Sequence, residues 1–191
     1  MTALTERRYI TTEEYLVMER VSPVKHEYFN GEIFQMAGTS EEHAAISMNI
    51  AASLHLQFKR RPCKSYQSDL RVYIPATGLY TYPDVVAVCG EPRMADEHLD
   101  ILLNPVLIVE VLSPSTQDYD KGAKFEHYRT IESLREYVLV WQDKKRVTRY
   151  TKANDGSWVL TDFIGGNAVI ELTSVECTLS IDDIYDKVTI K

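Results

Sequence analysis

The segment that most constrains the fold is PVLIVEVL at residues 105–112, an apolar run that contains one carboxylate, Glu110. Its length and its Val, Leu and Ile content predict a buried β-strand. A carboxylate inside such a strand is costly to bury unless another group neutralises or coordinates it. The chain must therefore fold so that a cation, from a side chain or a metal ion, reaches Glu110.

A second apolar run, PDVVAVCG at residues 83–90, supplies a partner strand and a second carboxylate. In an antiparallel pair, the register that sets Asp84 opposite Glu110 also sets Val86 opposite Ile108. Directly opposed side chains have Cβ atoms roughly 4.5–5.5 Å apart, so two bare carboxylates would repel each other. A divalent cation between them would remove the repulsion, and oxygen ligands alone favour Mg²⁺, Mn²⁺ or Ca²⁺ over zinc.

The segment TQDYDKGAKFEHYRTI, residues 116–131, predicts a helix that brings positive charge to the same place. Lys121, Lys124, Phe125 and Tyr128 have the spacing of one helix face. The aromatic residues indicate that this face packs on the sheet, with the lysines pointing inward or along its rim. A lysine beside a metal-carboxylate pair can orient a nucleophile or stabilise developing charge during phosphodiester hydrolysis. A structural ion pair between Lys124 and Glu110 is the alternative.

The remaining pattern predicts a mixed α/β (α+β) fold. Thr11 and Glu14 form a capping-box pattern for a short helix, and Asn30-Gly31 is a hairpin signal. A longer helix is expected at about 39–59, with His43 at the start of its apolar stripe. SYQSDLRVYIP is predicted as one strand, REYVLVWQ as another, KRVTRYTK, GSWVLTDFIG and NAVIELTS as an antiparallel meander, and SIDDIYD as a last helical turn.

Length and composition indicate one domain. The 191 residues are 45% hydrophobic and 26% charged, typical of a soluble globular protein. We therefore expect a single domain over residues 1–191, with its core at about 39–142. No window approaches the roughly 20 apolar residues that span a bilayer, and the N-terminus is charged where a signal peptide is apolar. Three cysteines without CxxC spacing suggest neither a disulfide framework nor a zinc site, so a cytoplasmic location is expected.

The formal net charge of −7 argues against broad electrostatic attraction to nucleic acid. A local basic groove is still compatible with that charge. Arg60, Arg61 and Lys64, in the cluster KRRPCK, are the candidate nucleic-acid contacts. The alternative is that these cations complement the dipole of the helix that precedes them.

Four segments together resemble a known family: HEYFNGEIFQMAGTSEEH, YPDVVAVCG, NPVLIVEVLSPSTQDYDKGAKFEHYR and LREYVLVWQD. They are similar to the Uma-two family of restriction-endonuclease-like proteins, of the PD-(D/E)XK nuclease superfamily. The similarity runs over most of residues 10–150. It implies a restriction-endonuclease-like core, in which helices flank a central mixed sheet between an N-terminal hairpin and the C-terminal meander.

The resemblance also implies roles for individual residues. Asp84 corresponds to the aspartate of the PD motif, and Glu110 to the acidic residue of (D/E)XK. Leu112 stands where the superfamily has a lysine, and Lys124, in the YDKGAKF segment typical of the subfamily, is the expected substitute.

Three further residues have two interpretations each. Glu32 matches an acidic position of the family and is a candidate metal ligand, or else a cross-strand partner of Lys25 or His26. His43 also matches the family and is a candidate catalytic residue, or a histidine satisfied at a helix start. Lys121 is a candidate nucleic-acid contact, or a solvated residue at the rim.

The function implied is a Mg²⁺- or Mn²⁺-dependent endonuclease that hydrolyses phosphodiester bonds of nucleic acid, with DNA as the expected substrate. Asp84, Glu110, Lys124 and His43 would be catalytic, and no membrane partner is expected. A homodimer is compatible with this function, because nucleases that cut both strands often work as dimers. The alternative is a catalytically silent protein with a nuclease fold that binds nucleic acid or another protein.

Overall fold

Five helices and thirteen strands form within residues 8–190, the part of the chain that the computed structural model describes. The helices are α1 (Thr12–Glu19), α2 (Glu41–Gln57), α3 (Gln117–Lys121), α4 (Ala123–Tyr128) and α5 (Ile181–Ile184). The strands are β1 (His26–Phe29), β2 (Glu32–Gln35), β3 (Cys63–Gln67), β4 (Arg71–Ile74), β5 (Leu79–Thr81), β6 (Val85–Cys89), β7 (Ile101–Leu102), β8 (Leu107–Leu112), β9 (Glu136–Trp141), β10 (Arg146–Lys152), β11 (Trp158–Ile164), β12 (Val169–Leu172) and β13 (Cys177–Ser180).

The strands form two larger sheets and a hairpin. One sheet has six strands in the order β11-β10-β9-β8-β6-β3, and the other has five in the order β2-β1-β5-β4-β7. β12 and β13 pair with each other. The six-stranded sheet is mixed, because β8 is parallel to β9 and antiparallel to β6. The predicted mixed α+β fold class is confirmed.

The centre of the six-stranded sheet is buried on both faces. On one face, Val85 and Val109 pack against Ile46 and Ile50 of α2, together with the C-terminal hairpin and α5. On the other face, Ile108 packs in a cluster with α4 and with β4, β5 and β7 of the second sheet. These two layers explain why β8 is apolar along its whole length, since neither face meets water.

Several local predictions are confirmed. Thr11 caps α1 in a capping box with Glu14. Asn30 and Gly31 turn β1 into β2 with φ values of 49° and 82°, in the left-handed region that Asn and Gly tolerate best. α2 buries Ile46, Ser47, Ile50 and Leu54 of the stripe that begins at His43, and α5 forms the last helical turn.

Three element predictions are wrong in detail. SYQSDLRVYIP is two strands in different sheets, because the chain turns at residues 67–70 and leaves β3 beside β6 and β4 beside β5. The helix predicted at 116–131 is interrupted at Gly122, whose φ and ψ of −113° and −98° are not helical. β10 and β11 extend the sheet from β9 as a meander, but β12 leaves it and pairs with β13.

The cysteine prediction is also corrected. Cys63 and Cys89 form a disulfide, and Cys177 is a buried thiol. The antiparallel register of β3 and β6 sets the two bonded residues directly opposite each other. Their sequence separation of 26 residues hides this pairing, because it depends on which strands become neighbours.

A search of residues 8–190 for membrane-spanning segments finds no helix of sufficient length and apolar character.

Candidate active site

The ends of β6 and β8 position two carboxylates side by side. Val85 pairs with Val109 and Val86 with Ile108, so the same register, continued by one residue, sets Asp84 opposite Glu110. The predicted register is therefore confirmed. The backbone N–H of Asp84 donates to Glu110 Oε2 at 3.3 Å, which ties the two residues directly.

Asp84 is held from the sheet and from α2. Its Oδ2 accepts a hydrogen bond of 2.7 Å from the backbone N–H of Val111, and its Oδ1 lies 2.8 Å from Nε2 of His43. His43 stands in the first turn of α2, whose N-cap, Ser40, accepts a hydrogen bond from the His43 backbone N–H. The predicted helix-start histidine thus reaches the predicted metal ligand.

Glu110 meets α4 instead. Its Oε1 accepts a hydrogen bond of 2.7 Å from the Tyr128 hydroxyl and lies 2.8 Å from Nζ of Lys124. Lys124, Phe125 and Tyr128 are all buried, so the face predicted to pack on the sheet does so. The ion pair between Lys124 and Glu110, the structural alternative, is present in this arrangement.

Lys124 has two further carboxylate partners that sequence reasoning missed as site residues. Its Nζ lies 3.2 Å from Glu27 Oε1 and 3.6 Å from Asp120 Oδ1. Glu27 belongs to β1 and accepts a hydrogen bond from the Thr81 hydroxyl of β5. Strand parity is the signal that could have found Glu27, because it lies on the opposite face of β1 from Tyr28, which packs into an aromatic core.

Burial and repulsion set the electrostatics of this cluster. Burial raises the pKa of Glu110, and the charges of Asp84 and Asp120 raise it further, although Lys124 opposes them. Burial likewise raises the pKa of Asp120 against the pull of Lys124. For Lys124, burial disfavours the ammonium, but Glu110, Glu27 and other neighbours overcome that cost and raise its pKa well above the ordinary value. Lys124 therefore stays charged, while Glu110 and Asp120 resist ionisation.

These side chains line one cavity of about 410 Å³ between the ends of the two sheets. Asp84, Glu110, Lys124 and His43 all contribute to its wall, so the structure brings together the four residues predicted as catalytic. The remaining lining includes Glu27, Tyr82, Val111, Tyr119, Asp120 and Gln142.

The structure places Glu32 and Lys121 outside this wall. Glu32 occupies an exposed position of β2 opposite Phe29, and it lines a different surface depression instead. Glu27, five residues earlier, is the glutamate of the N-terminal hairpin that enters the cavity. Lys121 lies at the end of α3, with Nζ 3.3 Å from Asp118 and 5.1 Å from the Trp141 ring centroid.

The cluster of Arg60, Arg61 and Lys64 lies at the far end of β6. Lys64 pairs with Val88, four residues along the strand from Asp84, which is about 13 Å at 3.3 Å per residue. Arg61 donates to the backbone carbonyls of Val175 and Glu176 and thereby fastens the C-terminal hairpin. Arg61 is therefore engaged within the fold, and the predicted contact of this cluster with nucleic acid stays a prediction.

The donor set of the cavity fits a hard divalent cation. Asp84, Glu110, Glu27 and Asp120 bring four carboxylates to the wall beside the ammonium of Lys124, and carboxylate oxygen is what Mg²⁺ and Mn²⁺ prefer. Within residues 8–190, no three His, Cys, Asp or Glu side chains converge as a complete metal site.

The fold has a counterpart among solved structures. A crystal structure from Anabaena variabilis ATCC 29413, described as "a putative nuclease belonging to DUF820", is similar with a TM-score of 0.78, covering 94% of this chain and 99% of that one. At 21% identity this likeness shows that the two chains share a fold.

The family follows from the sequence comparison. The model of Uma2, a family described as "Putative restriction endonuclease", matches residues 12–182, and the chain belongs to that family. Two relatives from Synechocystis sp. (strain ATCC 27184 / PCC 6803 / Kazusa) are named as uncharacterized proteins. One, sll1609, is 38% identical over 91% of this chain and 98% of its own length, and the other, slr1290, is 36% identical over 92% and 91%. The resemblance predicted from the motifs is confirmed.

Proposed function

We propose that the protein is a metal-dependent endonuclease that hydrolyses phosphodiester bonds of nucleic acid, with DNA as the expected substrate. The observation that carries the proposal is the pairing of Asp84 with Glu110 at adjacent strand ends, with Nζ of Lys124 at 2.8 Å from Glu110. Family membership and the nuclease fold support the reaction class.

The metal would be held by Asp84 and Glu110, and Mg²⁺ or Mn²⁺ bound there supplies a water of lowered pKa and charge neutralisation at the phosphate. Lys124 provides a fixed positive charge at the cavity wall, where it stabilises negative charge that develops on the phosphate. Glu27 contacts the ammonium of Lys124, and the Tyr128 hydroxyl donates to Glu110. These two contacts position the ion pair. His43 orients Asp84 through its Nε2 contact.

A cleavage screen tests the proposal. Wild-type protein is incubated with single-stranded DNA, duplex DNA and RNA in Mg²⁺, in Mn²⁺ and in EDTA, beside an Asp84→Ala control. We expect cleavage of at least one substrate that requires the metal and is lost in Asp84→Ala. Cleavage that survives in EDTA, or equally in Asp84→Ala, contradicts the proposal. A homodimer and a cytoplasmic location are expectations that accompany this function.

A second candidate is a catalytically silent protein that keeps the fold for binding. The observation in its favour is that Lys124 is only 5% exposed and is already engaged by Glu110, Glu27 and Asp120. In a silent protein, such a lysine would neutralise buried carboxylates and take no part in catalysis. Nucleic-acid binding without cleavage under any metal condition of the screen would favour this candidate.

A further inference from the structure

Cations gather around one indole at the end of β9. Nζ of Lys144 lies 3.9 Å from the Trp141 ring centroid, Cζ of Arg146 lies at 5.0 Å and Nζ of Lys121 at 5.1 Å. Lysine and arginine are attracted to the face of a tryptophan ring at such distances. In a chain with a net charge of −7, the ring holds several positive charges at one place.

The turn between β9 and β10, which carries Lys144, is held by hydrogen bonds from a buried tyrosine. The hydroxyl of Tyr185, a buried residue of the C-terminal segment, lies 2.6 Å from the carbonyl oxygen of Trp141, 2.9 Å from that of Lys144 and 3.0 Å from that of Arg146. Asp162 binds the Arg146 guanidinium at 2.7 and 3.3 Å, so the charge of Arg146 is compensated within the fold. The turn between β9 and β10 is therefore held in one geometry.

The positive charges of Lys121 and Lys144 are compensated only weakly within the fold. Their acidic neighbours are Asp118, at 3.3 Å from Lys121, and Asp143, at 4.0 Å from Lys144, and both of these carboxylates are well exposed. Ion pairs between exposed groups contribute little and are easily exchanged for another anion. An incoming phosphate can compete for either lysine.

The group adjoins the active-site cavity. Asp120, Gln142 and Ser113 line the cavity. Lys121 follows Asp120, and Trp141 precedes Gln142 in the chain. The neighbouring strand makes the same connection, because the partner of Trp141 across the parallel pair is Leu112, the residue before Ser113. The positive charge therefore lies beside the cavity that contains Asp84 and Glu110.

We propose that Lys121 and Lys144, positioned by Trp141, form the surface that holds the phosphate backbone of a nucleic acid while one phosphodiester enters the cavity. This inference rests on the nuclease function proposed above, and it states from which side the substrate approaches the cavity. In this proposal the nucleic-acid contacts are Lys121 and Lys144 instead of the cluster of Arg60, Arg61 and Lys64, which lies at the other end of β6.

Tryptophan fluorescence allows a direct test. The chain has two tryptophans, so Trp158→Phe leaves Trp141 as its reporter. A DNA oligonucleotide, single-stranded or duplex, is titrated in EDTA at several salt concentrations, so that binding is measured without the metal that cleavage requires. Lys121→Gln and Lys144→Gln are compared with Lys145→Gln. This neighbouring lysine pairs with Asp182 at 3.0 Å and makes a matched control for loss of one charge in the same turn.

We expect the oligonucleotide to change Trp141 fluorescence. Lys121→Gln and Lys144→Gln should each weaken binding and reduce the salt slope by the value of one phosphate contact, about 0.9 for duplex DNA or about 0.7 for single-stranded DNA. Lys145→Gln should keep the slope. Equal effects of Lys144→Gln and Lys145→Gln, or no binding of either oligonucleotide, would overturn the inference. Its failure is separable from that of the nuclease function: cleavage with unchanged affinity in Lys144→Gln refutes only this surface, and lysine-dependent binding without cleavage refutes only the nuclease.

Discussion

At the scale of single residues, Lys124 combines a structural role with the catalytic role that we propose for it. Its ammonium lies within 3.6 Å of three carboxylates and is almost completely buried. The sequence predicts lysines that point inward or along the rim of the sheet, and Lys124 points inward. Removing its ammonium would leave Glu110, Glu27 and Asp120 facing one another without compensation.

The first prediction follows for Lys124→Ala. Its free energy of unfolding at neutral pH should fall by about 3–5 kcal/mol, the usual cost of breaking a buried pair. Cleavage measured under conditions where the variant is still folded should fall by roughly 10²–10³. Urea denaturation and the cleavage assay measure the two effects, and Lys145→Ala, which removes an exposed lysine paired with Asp182, is the control. Unchanged stability and full activity in Lys124→Ala would remove this residue from both roles.

The second prediction concerns the pH dependence of stability. Because burial raises the pKa of folded Glu110 above its ordinary value of 4.5, folded protein holds this proton more tightly than unfolded protein. Stability from this group is complete below that value and is lost as pH rises through the folded pKa. Glu110→Gln cannot lose a proton, so its stability relative to wild type should increase from acid to neutral pH in metal-free buffer. An advantage of wild type that grows with pH would mean that the ion pair with Lys124 outweighs burial.

At the scale of secondary-structure elements, the sequence predicts what is local and misses what depends on distant neighbours. The register of β6 and β8 follows from two apolar runs, each with one carboxylate near its end, and the capping box of α1 follows from Thr11 and Glu14. Glu27 enters the site only because β1 pairs with β5 across more than fifty residues. Strand parity places Glu27 and Glu32 on the same face of the hairpin, because Glu32 pairs with Phe29, so no local pattern distinguishes the two residues.

The same limit explains two other differences. The break at Gly122 separates Lys121 from Lys124, so the two lysines of the predicted helix face belong to different helices and different surroundings. The Cys63–Cys89 pair requires that β3 and β6 be neighbours, which composition cannot reveal.

The third prediction belongs to this pair of strands. The disulfide closes a separation of 26 residues, so chain entropy predicts a stabilisation of about 3.5 kcal/mol. Urea unfolding should therefore require less denaturant after reduction. The double variant Cys63→Ser with Cys89→Ser should have the urea stability of the reduced protein, and reductant should not change it. The stability of Cys177→Ser should fall on reduction, as that of wild type does.

Thiol counting decides whether the bond forms. Protein purified without reductant should contain one free thiol, that of Cys177. Finding three would contradict the pairing. In a reducing compartment both bonded cysteines would be kept as thiols, so the oxidation state in cells also tests the expected cytoplasmic location.

At the scale of the whole molecule, negative charge is general and positive charge is local. The net charge of −7 means that a nucleic acid is attracted only where cations are concentrated, so the binding surface must be small and its affinity sensitive to salt. The cavity itself is rich in carboxylates. A divalent cation would reconcile this acidic cavity with a phosphate substrate.

The metal is therefore the central claim, and calorimetric titration with Mn²⁺ tests it most directly. Wild-type protein should bind Mn²⁺ with saturation. Glu110→Gln, which keeps the shape of the side chain and removes its charge, and Asp84→Asn should both lose this binding while remaining folded. Glu32→Gln, which lies outside the cavity wall, should bind as wild type does. Identical Mn²⁺ binding by wild type and Glu110→Gln would contradict the account.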